Sequence, residues 1–331
     1  MFQPFLSTIM PALAGLPPAA ALRELIAAGA DRLPLPGHGA TLERWRALAA
    51  VGAHDLSVAK LFEGHTDALA ILAEAGHTAA ETEALWATWC AEPPDARLRL
   101  EAGAGGWMLS GRKAWCSGAR AATHAVVSCW NAAGEAMLAA ADLREGGVTV
   151  TDAGWQAVGM AGSESVDVLF DRVPATPLGA PGFYVARAGF WQGGAGVAAC
   201  WFGAATALAD ALRARVRGQA DAHRLAQLGA VAVALQGSAA LMRETAAAID
   251  RAPDADAMAA ALALRLHVEG TATATLDTVA RALGPGPMCK DAALARRFAD
   301  LPVFIRQSHA ERDQEALGRL AAAAERTPWT L

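Results

Sequence analysis

The spacing of apolar residues changes character twice along the chain. Up to about residue 90, apolar positions recur at helical intervals. Leu22, Leu25 and Ile26 form one stripe within residues 20–30. Leu42, Trp45 and Leu48 form another after Thr41, a good N-cap, with Arg44 where a capping box would place Glu. The run from Asp55 to His65 leads into a helix over residues 66–75, closed by Gly76. A last helical piece is predicted over 82–89, and Gly37-His38-Gly39 reads as a turn. Beyond Ala91-Glu92-Pro93-Pro94 the pattern becomes short alternating or apolar runs bounded by glycine. Strands are predicted over residues 97–101, 107–109, 113–116, 124–130, 136–142, 148–151 and 165–170. Ser110-Gly111 supplies turn residues for a tight hairpin between the second and third. Strands this short and closely spaced read as a small antiparallel barrel or sandwich. Pro174, Pro177 and Pro181 mark a linker. From Phe183 the chain turns helical and Ala-rich, with long helices over 195–217, 223–251, 255–283 and 292–324. The breaks are Gly218-Gln219, Ala252-Pro253 and Gly284-Pro285-Gly286-Pro287. Such helices form an antiparallel four-helix bundle. The expected class is α+β multidomain: an N-terminal helical domain (1–90), a central antiparallel β-barrel (91–182) and a C-terminal four-helix bundle (183–331).

Composition narrows the function classes. Over 331 residues, 54% hydrophobic content allows a sizeable core, and a net charge of −5 without a basic stripe argues against nucleic acid as a partner. Arg213, Arg215 and Arg217 are the densest basic run, either a solvated helix face or a seat for an anion such as a phosphate. Five cysteines (Cys90, Cys116, Cys129, Cys200, Cys289) show no ligand-like spacing and read as reduced thiols of a cytoplasmic protein. Eight histidines show no paired spacing, so no metal site is expected. The first twenty residues hold four prolines and no basic stretch, unlike a signal peptide. Residues 190–212 are the most membrane-like, but Gln192, Gly193, Gly194, Gly196, Gly203 and Asp210 favour a buried bundle helix and no membrane.

The stretch from Gly106 to Ala119, GWMLSGRKAWCSGA, carries the first hint of chemistry. Trp115 beside the Ser117 hydroxyl is a plausible wall for a flat heteroaromatic ligand. Taken alone, Trp115 reads as a core aromatic and Ser117 as a turn residue. Three segments together change that weighting: Ala91-Glu92-Pro93-Pro94-Asp95-Ala96, Gly111-Arg112-Lys113-Ala114-Trp115-Cys116-Ser117-Gly118, and the stretch from Gly159 to Pro174. In order and spacing they resemble the acyl-CoA dehydrogenase flavoprotein family. Leu283-Gly284-Pro285-Gly286 sits where that family has a Gly-rich break.

The resemblance implies bound FAD, with Trp115 packed on the isoalloxazine, Cys116 beside it, and Ser117 hydrogen-bonding near flavin N5. The backbone of Cys90, Ala91 and Glu92 would line the pyrimidine side, Ala91 lacking the hydroxyl of the family's Thr. Gly284 and Gly286 would match a turn that meets the pyrophosphate and adenine across subunits. The family's Arg-x-x-Phe-Gly segment is not matched: Arg215-Val216-Arg217-Gly218-Gln219 lacks the Phe, which leaves Arg215, Arg217 and Gln219 between phosphate contact and solvated face. The implied partners are a small-molecule substrate, an acyl-CoA, an electron-transfer flavoprotein, and a second copy in a homodimer or homotetramer. The implied reaction is α,β-dehydrogenation of the acyl thioester. Some 90 residues precede Ala91, fewer than in the family, which implies a more open acyl pocket.

That reaction needs a carboxylate base close to the substrate α-carbon. Counting from Ala299-Asp300, which stands where the family has Arg-Asp, the base position falls near Ser308 in Arg306-Gln307-Ser308-His309, and no Glu is there. Three readings stay open. Glu311, or Glu244 or Glu269 in the bundle, supplies the base. Or His309 serves oxygen chemistry, as a C-terminal His does in flavin monooxygenases of this fold. Or the protein binds flavin without turnover.

Overall fold

The computed structural model describes residues 8–78, 84–103, 105–218, 221–327 and 329–330. Its contacts divide the chain into two units, Met1–Leu33 with Ser57–Phe190, and Pro34–Leu56 with Trp191–Leu331.

In the first unit, helix α1 (Pro18–Ala27) starts on Pro18, whose missing N–H costs nothing in a first turn, and it buries Ala21, Leu22 and Leu25. Helix α3 (Leu56–Glu74) runs as one piece. The helix expected over 82–89 is corrected. Residues 82 and 83 lie outside the described residues, and Trp86–Trp89 form strand β1, parallel to β4 (His124–Trp130). The reason is two-residue periodicity. Ala87 and Trp89 enter the barrel core, whereas Trp86 packs on Ala68, Ile71 and Leu72. The expected hairpin at Ser110-Gly111 is also corrected. Gly106–Cys116 is one strand, β3, antiparallel to β2 (Leu98–Gly103) from Leu98 opposite Gly111 to Gly103 opposite Gly106. Gly111 serves a bulge: its φ is +125°, and a Cβ there would sit 2.6 Å from Arg97 O. Pro174 and Pro177, read as linker, lie within β7 (Val166–Pro177).

The barrel closes through β4, β2, β3, β7, β5 (Ala136–Asp142) and β4 again, with β6 (Val148–Val150) beside β7. Only the pairings of β1 and β2 with β4 are parallel among the described residues. Leu98, Leu100, Leu109, Val127, Val168 and Val173 fill the interior. Helix α4 (Phe183–Ala186) ends this unit.

The second unit contains α2 (Thr41–His54), most of α5 (Gly189–Val216), then α6 (Ala222–Arg251), α7 (Met258–Leu283), α8 (Pro285–Lys290), α9 (Ala292–Phe304) and α10 (Glu311–Ala323). Helices α2 and α5 meet through glycines. A Cβ on Gly52 would lie 2.3 Å from Cys200 O, and one on Gly203 only 2.0 Å from Ala49 O. Thr41 is not the N-cap; it opens α2, and Asp250 of α6 caps it from outside. The Asp250 carboxylate accepts from Thr41 N (3.0 Å), Thr41 Oγ1 (2.6 Å) and Gly39 N (3.1 Å). The helix expected over 292–324 is split by a tight turn at Ile305–Gln307 and by Ala310, whose φ of +46° cannot continue a right-handed helix. Helices α5 and α6 are long and apolar enough to cross a membrane. The most apolar stretch of α5 is 67% buried, that of α6 only 17%.

Candidate functional site

Trp115 sits where β3 slips register against β7 between Lys113 and Cys116. Its φ is +57° and its side chain is 50% exposed, so it is not a core aromatic. Left-handed backbone in a side-chain-bearing residue costs about 1–2 kcal/mol. Met160 (φ +58°) and Glu164 (φ +45°) share that conformation, on a segment that bonds to the residues after Trp115: Gly118 N donates to Ser163 O at 2.7 Å. Three of the five left-handed residues other than glycine among the described ones thus lie in two hydrogen-bonded segments, beside an exposed indole.

Ser117 is held from both sides. Its N–H donates to Trp115 O (3.0 Å), and its carbonyl accepts from Trp89 Nε1 (2.9 Å). Its hydroxyl lies 2.8 Å from Ser165 Oγ, which lies 2.8 Å from Ser163 Oγ, which donates to Met160 O at 2.7 Å. A shallow cleft lined by Lys60, Leu61, Gly64 and Trp86 adjoins Ser117 and Gly118.

The 90–92 segment is fastened to the same barrel. Lys113 Nζ, fully buried, donates to Glu92 Oε1 (2.7 Å), Ser128 Oγ (2.6 Å) and Ser128 O (3.0 Å); Trp130 Nε1 donates to Glu92 Oε2 (2.8 Å), and Ser128 Oγ donates to Glu92 as well. Burial alone would raise the Glu92 pKa, but the bonds from Lys113, Ser128 and Trp130 outweigh it and hold the carboxyl below its ordinary value. The Glu92 side chain is therefore an anchor, and backbone is what residues 90–92 have left to offer. Burial pushes the Cys90 thiol up to about 12 and the Cys116 thiol higher still, so neither is a ready nucleophile. The structure thus ties Glu92, through Lys113, to β3, which carries Trp115 and Cys116; Cys116 itself is fully buried in the barrel core, so its side chain is not part of the exposed wall.

The remaining candidates belong to the second unit. Ser308 is buried, its hydroxyl accepting from Ala310 N at 3.4 Å. His309 is 64% exposed; its N–H donates to Asp313 Oδ2 (3.1 Å), and its Nδ1 lies 3.4 Å from Asp313 Oδ1. Glu311 is exposed and opens α10. Arg265 ties this turn down, donating from Nη2 to Gln307 O (3.0 Å) and from Nη1 to Gly194 O (2.6 Å). Glu269, one helical turn along α7, is buried and paired with Arg306; Glu244 is exposed and paired with Arg251 at 3.1 Å. Asp300 is buried in α9. Arg215 and Arg217 are exposed, and Gln219 lies outside the described residues. Gly284 (φ +67°) ends α7, and Gly286 lies within α8. Sequence reasoning passed over Ser163, Ser165, Trp89 and Arg265, and noted Asp313 only as a carboxylate near Glu311. The two serines lie inside the stretch that carried the resemblance, and their clustering around Gly162 was the available signal.

No protein-family model matches the chain. A solved structure of KijD3 in complex with FMN and dTDP-3-amino-2,3,6-trideoxy-4-keto-3-methyl-D-glucose superposes with a TM-score of 0.80 over 99% of this chain and 93% of that one, at 22% identity. The methanesulfinate monooxygenase MsuC of Pseudomonas fluorescens superposes with a TM-score of 0.82 over 100% and 98%, at 18% identity. The fold is acyl-CoA dehydrogenase-like. In sequence, 82 residues are 43% identical to the amino sugar nitrososynthase RubN8 of Streptomyces rubradiris. That match spans 24% of this chain and 19% of RubN8.

Proposed function

We propose that this protein is a flavin-dependent monooxygenase that oxidises the amine nitrogen of a small polar molecule such as an amino sugar. The observation that carries the reading is position 308, near which acyl-CoA dehydrogenation calls for a carboxylate. A buried serine stands there, followed by a histidine whose Nδ1 faces Asp313, and Glu311 is exposed at the start of α10. Glu269 and Glu244, the other candidate bases, are engaged by Arg306 and Arg251. The sequence likeness to RubN8 and the ligands of KijD3 support the same class of chemistry. Acyl-CoA and an electron-transfer flavoprotein find no comparable support.

The residues of the barrel fit a flavin. The exposed Trp115 indole offers a ring face, the 90–92 backbone would supply a flank, and the half-buried Ser117 supplies a hydroxyl two residues on. Bound and reduced, a flavin supplies the two electrons that allow one oxygen atom of dioxygen to enter the substrate while the other leaves as water. Trp115 and Ser117 would orient the ring. In the second unit, His309 turns its Nδ1 to Asp313. FMN is the form proposed, because FMN is the flavin in the KijD3 complex and the Arg-x-x-Phe-Gly segment is incomplete; FAD is the competing outcome. A homodimer or larger assembly is proposed as well, supported by the apolar α6 with Val233 73% and Leu225 51% exposed.

The test is direct. Purified protein is titrated with FMN and FAD, reduced anaerobically, and mixed with oxygen and a panel of amino sugar nucleotides and alkyl amines. Hydroxylamine or nitroso products detected by mass support the reading, and His309→Ala should then abolish them. Anaerobic bleaching by an acyl-CoA panel would overturn it in favour of dehydrogenation.

A further inference from the structure

None of the thirteen residues of α10 is buried. Ala316, Leu317, Leu320 and Ala321 form an apolar stripe that is only half-buried, and Gly318, in the middle of the helix, has open space where a Cβ would stand. A helix of this length is marginal on its own, so its place depends on how it is attached. The attachment is a clasp made by α7. Arg265 Nη2 donates to Gln307 O (3.0 Å) while its Nη1 donates to Gly194 O of α5 (2.6 Å). The same guanidinium lies 5.1 Å from the centroid of the Trp201 ring, which is fully buried. One helical turn along α7, Glu269 pairs with Arg306. Both contacts fix residues ahead of Ala310, and Ser308 is buried between them and Ala310. The chain then passes through Ala310 at φ +46° and ψ −112°, a conformation that a residue with a Cβ keeps only when its surroundings enforce it. That conformation aims α10 back onto α7.

We infer that residues 309–323 are a strap that opens as one piece about Ala310, with Arg265 and Glu269 of α7 as its latch. Closure gains little burial along α10 and costs the strained backbone at Ala310, so the closed state lasts only while the latch fixes Arg306 and Gln307. When the latch lets go, the turn over Ile305–Gln307 relaxes, Ala310 returns to an ordinary conformation, and α10 loses its alignment with α7. His309 rides on the strap, because its N–H and its Nδ1 both face Asp313 of α10. Opening therefore carries His309 away and leaves Ser308 behind. What this means for catalysis rests on the reading above; the opening itself does not.

Amide hydrogen exchange read by mass spectrometry, on the whole protein without added flavin or substrate, measures the opening. In wild type the amides of Glu311–Ala323 should exchange as one group, about a hundredfold less protected than the buried turns of α7. Arg265→Met removes two hydrogen bonds from a charged donor and should speed exchange of that group about tenfold, with α5, α6 and α7 unchanged within about twofold. Glu269→Gln keeps the shape of its side chain and should speed it about threefold, which covers the case in which Arg265→Met folds poorly. Ala310→Gly acts the other way: glycine adopts this backbone without strain, so exchange of the group should slow about threefold. Protection of Glu311–Ala323 equal to that of α7 in wild type overturns the inference. So does exchange unchanged within about twofold in both Arg265→Met and Glu269→Gln, and so does acceleration spread evenly over α5, α6 and α7, which makes the clasp a brace of the whole bundle. Faster exchange in Ala310→Gly removes Ala310 as the hinge and overturns it as well. No flavin is present, so none of these outcomes touches the flavin reading, which the product assay tests by itself.

Discussion

Replacing Glu92 by Gln tests the anchor beneath the proposed flavin wall. Lys113 is fully buried two residues before Trp115, and Glu92 is its only anionic partner among the hydrogen bonds that its ammonium makes. At 2.7 Å the gross attraction is about 6 kcal/mol with an effective dielectric near 20, most of it offset by desolvation of the ammonium. Removing one member of such a pair costs about 3–5 kcal/mol, because a charge is left buried without compensation. Glu92 is 28% exposed and the Gln amide oxygen still accepts, so the lower end, about 3 kcal/mol, is expected. Lys113→Met leaves a carboxylate that Ser128, Trp130 and water still solvate, and should cost only about 1–2 kcal/mol. The double variant removes both charges and should be more stable than Glu92→Gln alone. Urea unfolding at neutral pH, followed by fluorescence and far-UV circular dichroism, measures all three. The acid limb adds a second check. The folded Glu92 carboxyl titrates below its ordinary value of 4.5, so its stabilisation is complete above that value and is lost as pH falls through the lower folded value. The curves of wild type and Glu92→Gln should therefore converge toward low pH. A Glu92→Gln cost under about 1 kcal/mol, or a double variant whose cost is the sum of the singles, would refute the reasoning.

Trp115→Gly should separate stability from binding: relief of the left-handed backbone raises stability by about 1 kcal/mol in urea, while flavin affinity falls by at least tenfold in a fluorescence titration. Asp250→Ala removes the external cap of α2 and should cost about 1–2 kcal/mol by the same unfolding assay. Native thiols should react with Ellman's reagent at the exposed Cys289 first, because Cys116, Cys129 and Cys200 are buried and burial pushes the Cys90 and Cys129 thiols up to about 12. Peptide mapping of the first label checks this. Val233→Glu on α6 should shift a homo-oligomer toward monomer in sedimentation velocity, with the melting temperature little changed.

What the sequence determined by itself was whatever local periodicity encodes. Leu22 and Leu25 announced α1, the 124–130 and 136–142 runs announced β4 and β5 residue for residue, and the order of helices, barrel and bundle was legible from where the period changed. Trp115 and Ser117 stood out as a pair. Elsewhere local signals pointed the wrong way, and tertiary context decided. Ser110-Gly111 has turn chemistry, yet pairing with β2 and β7 on both sides turns it into a bulge within one strand. Trp86–Trp89 alternates over only four residues, too few for the sequence to announce a strand, and parallel pairing with β4 decides it. No sequence pattern shows that Asp250 caps a helix 209 residues away. The same holds for the serine chain. Ser163 and Ser165 were visible as residues, but the direction of their hydrogen bonds depends on which carbonyl lies within reach, and that is a property of the folded chain alone.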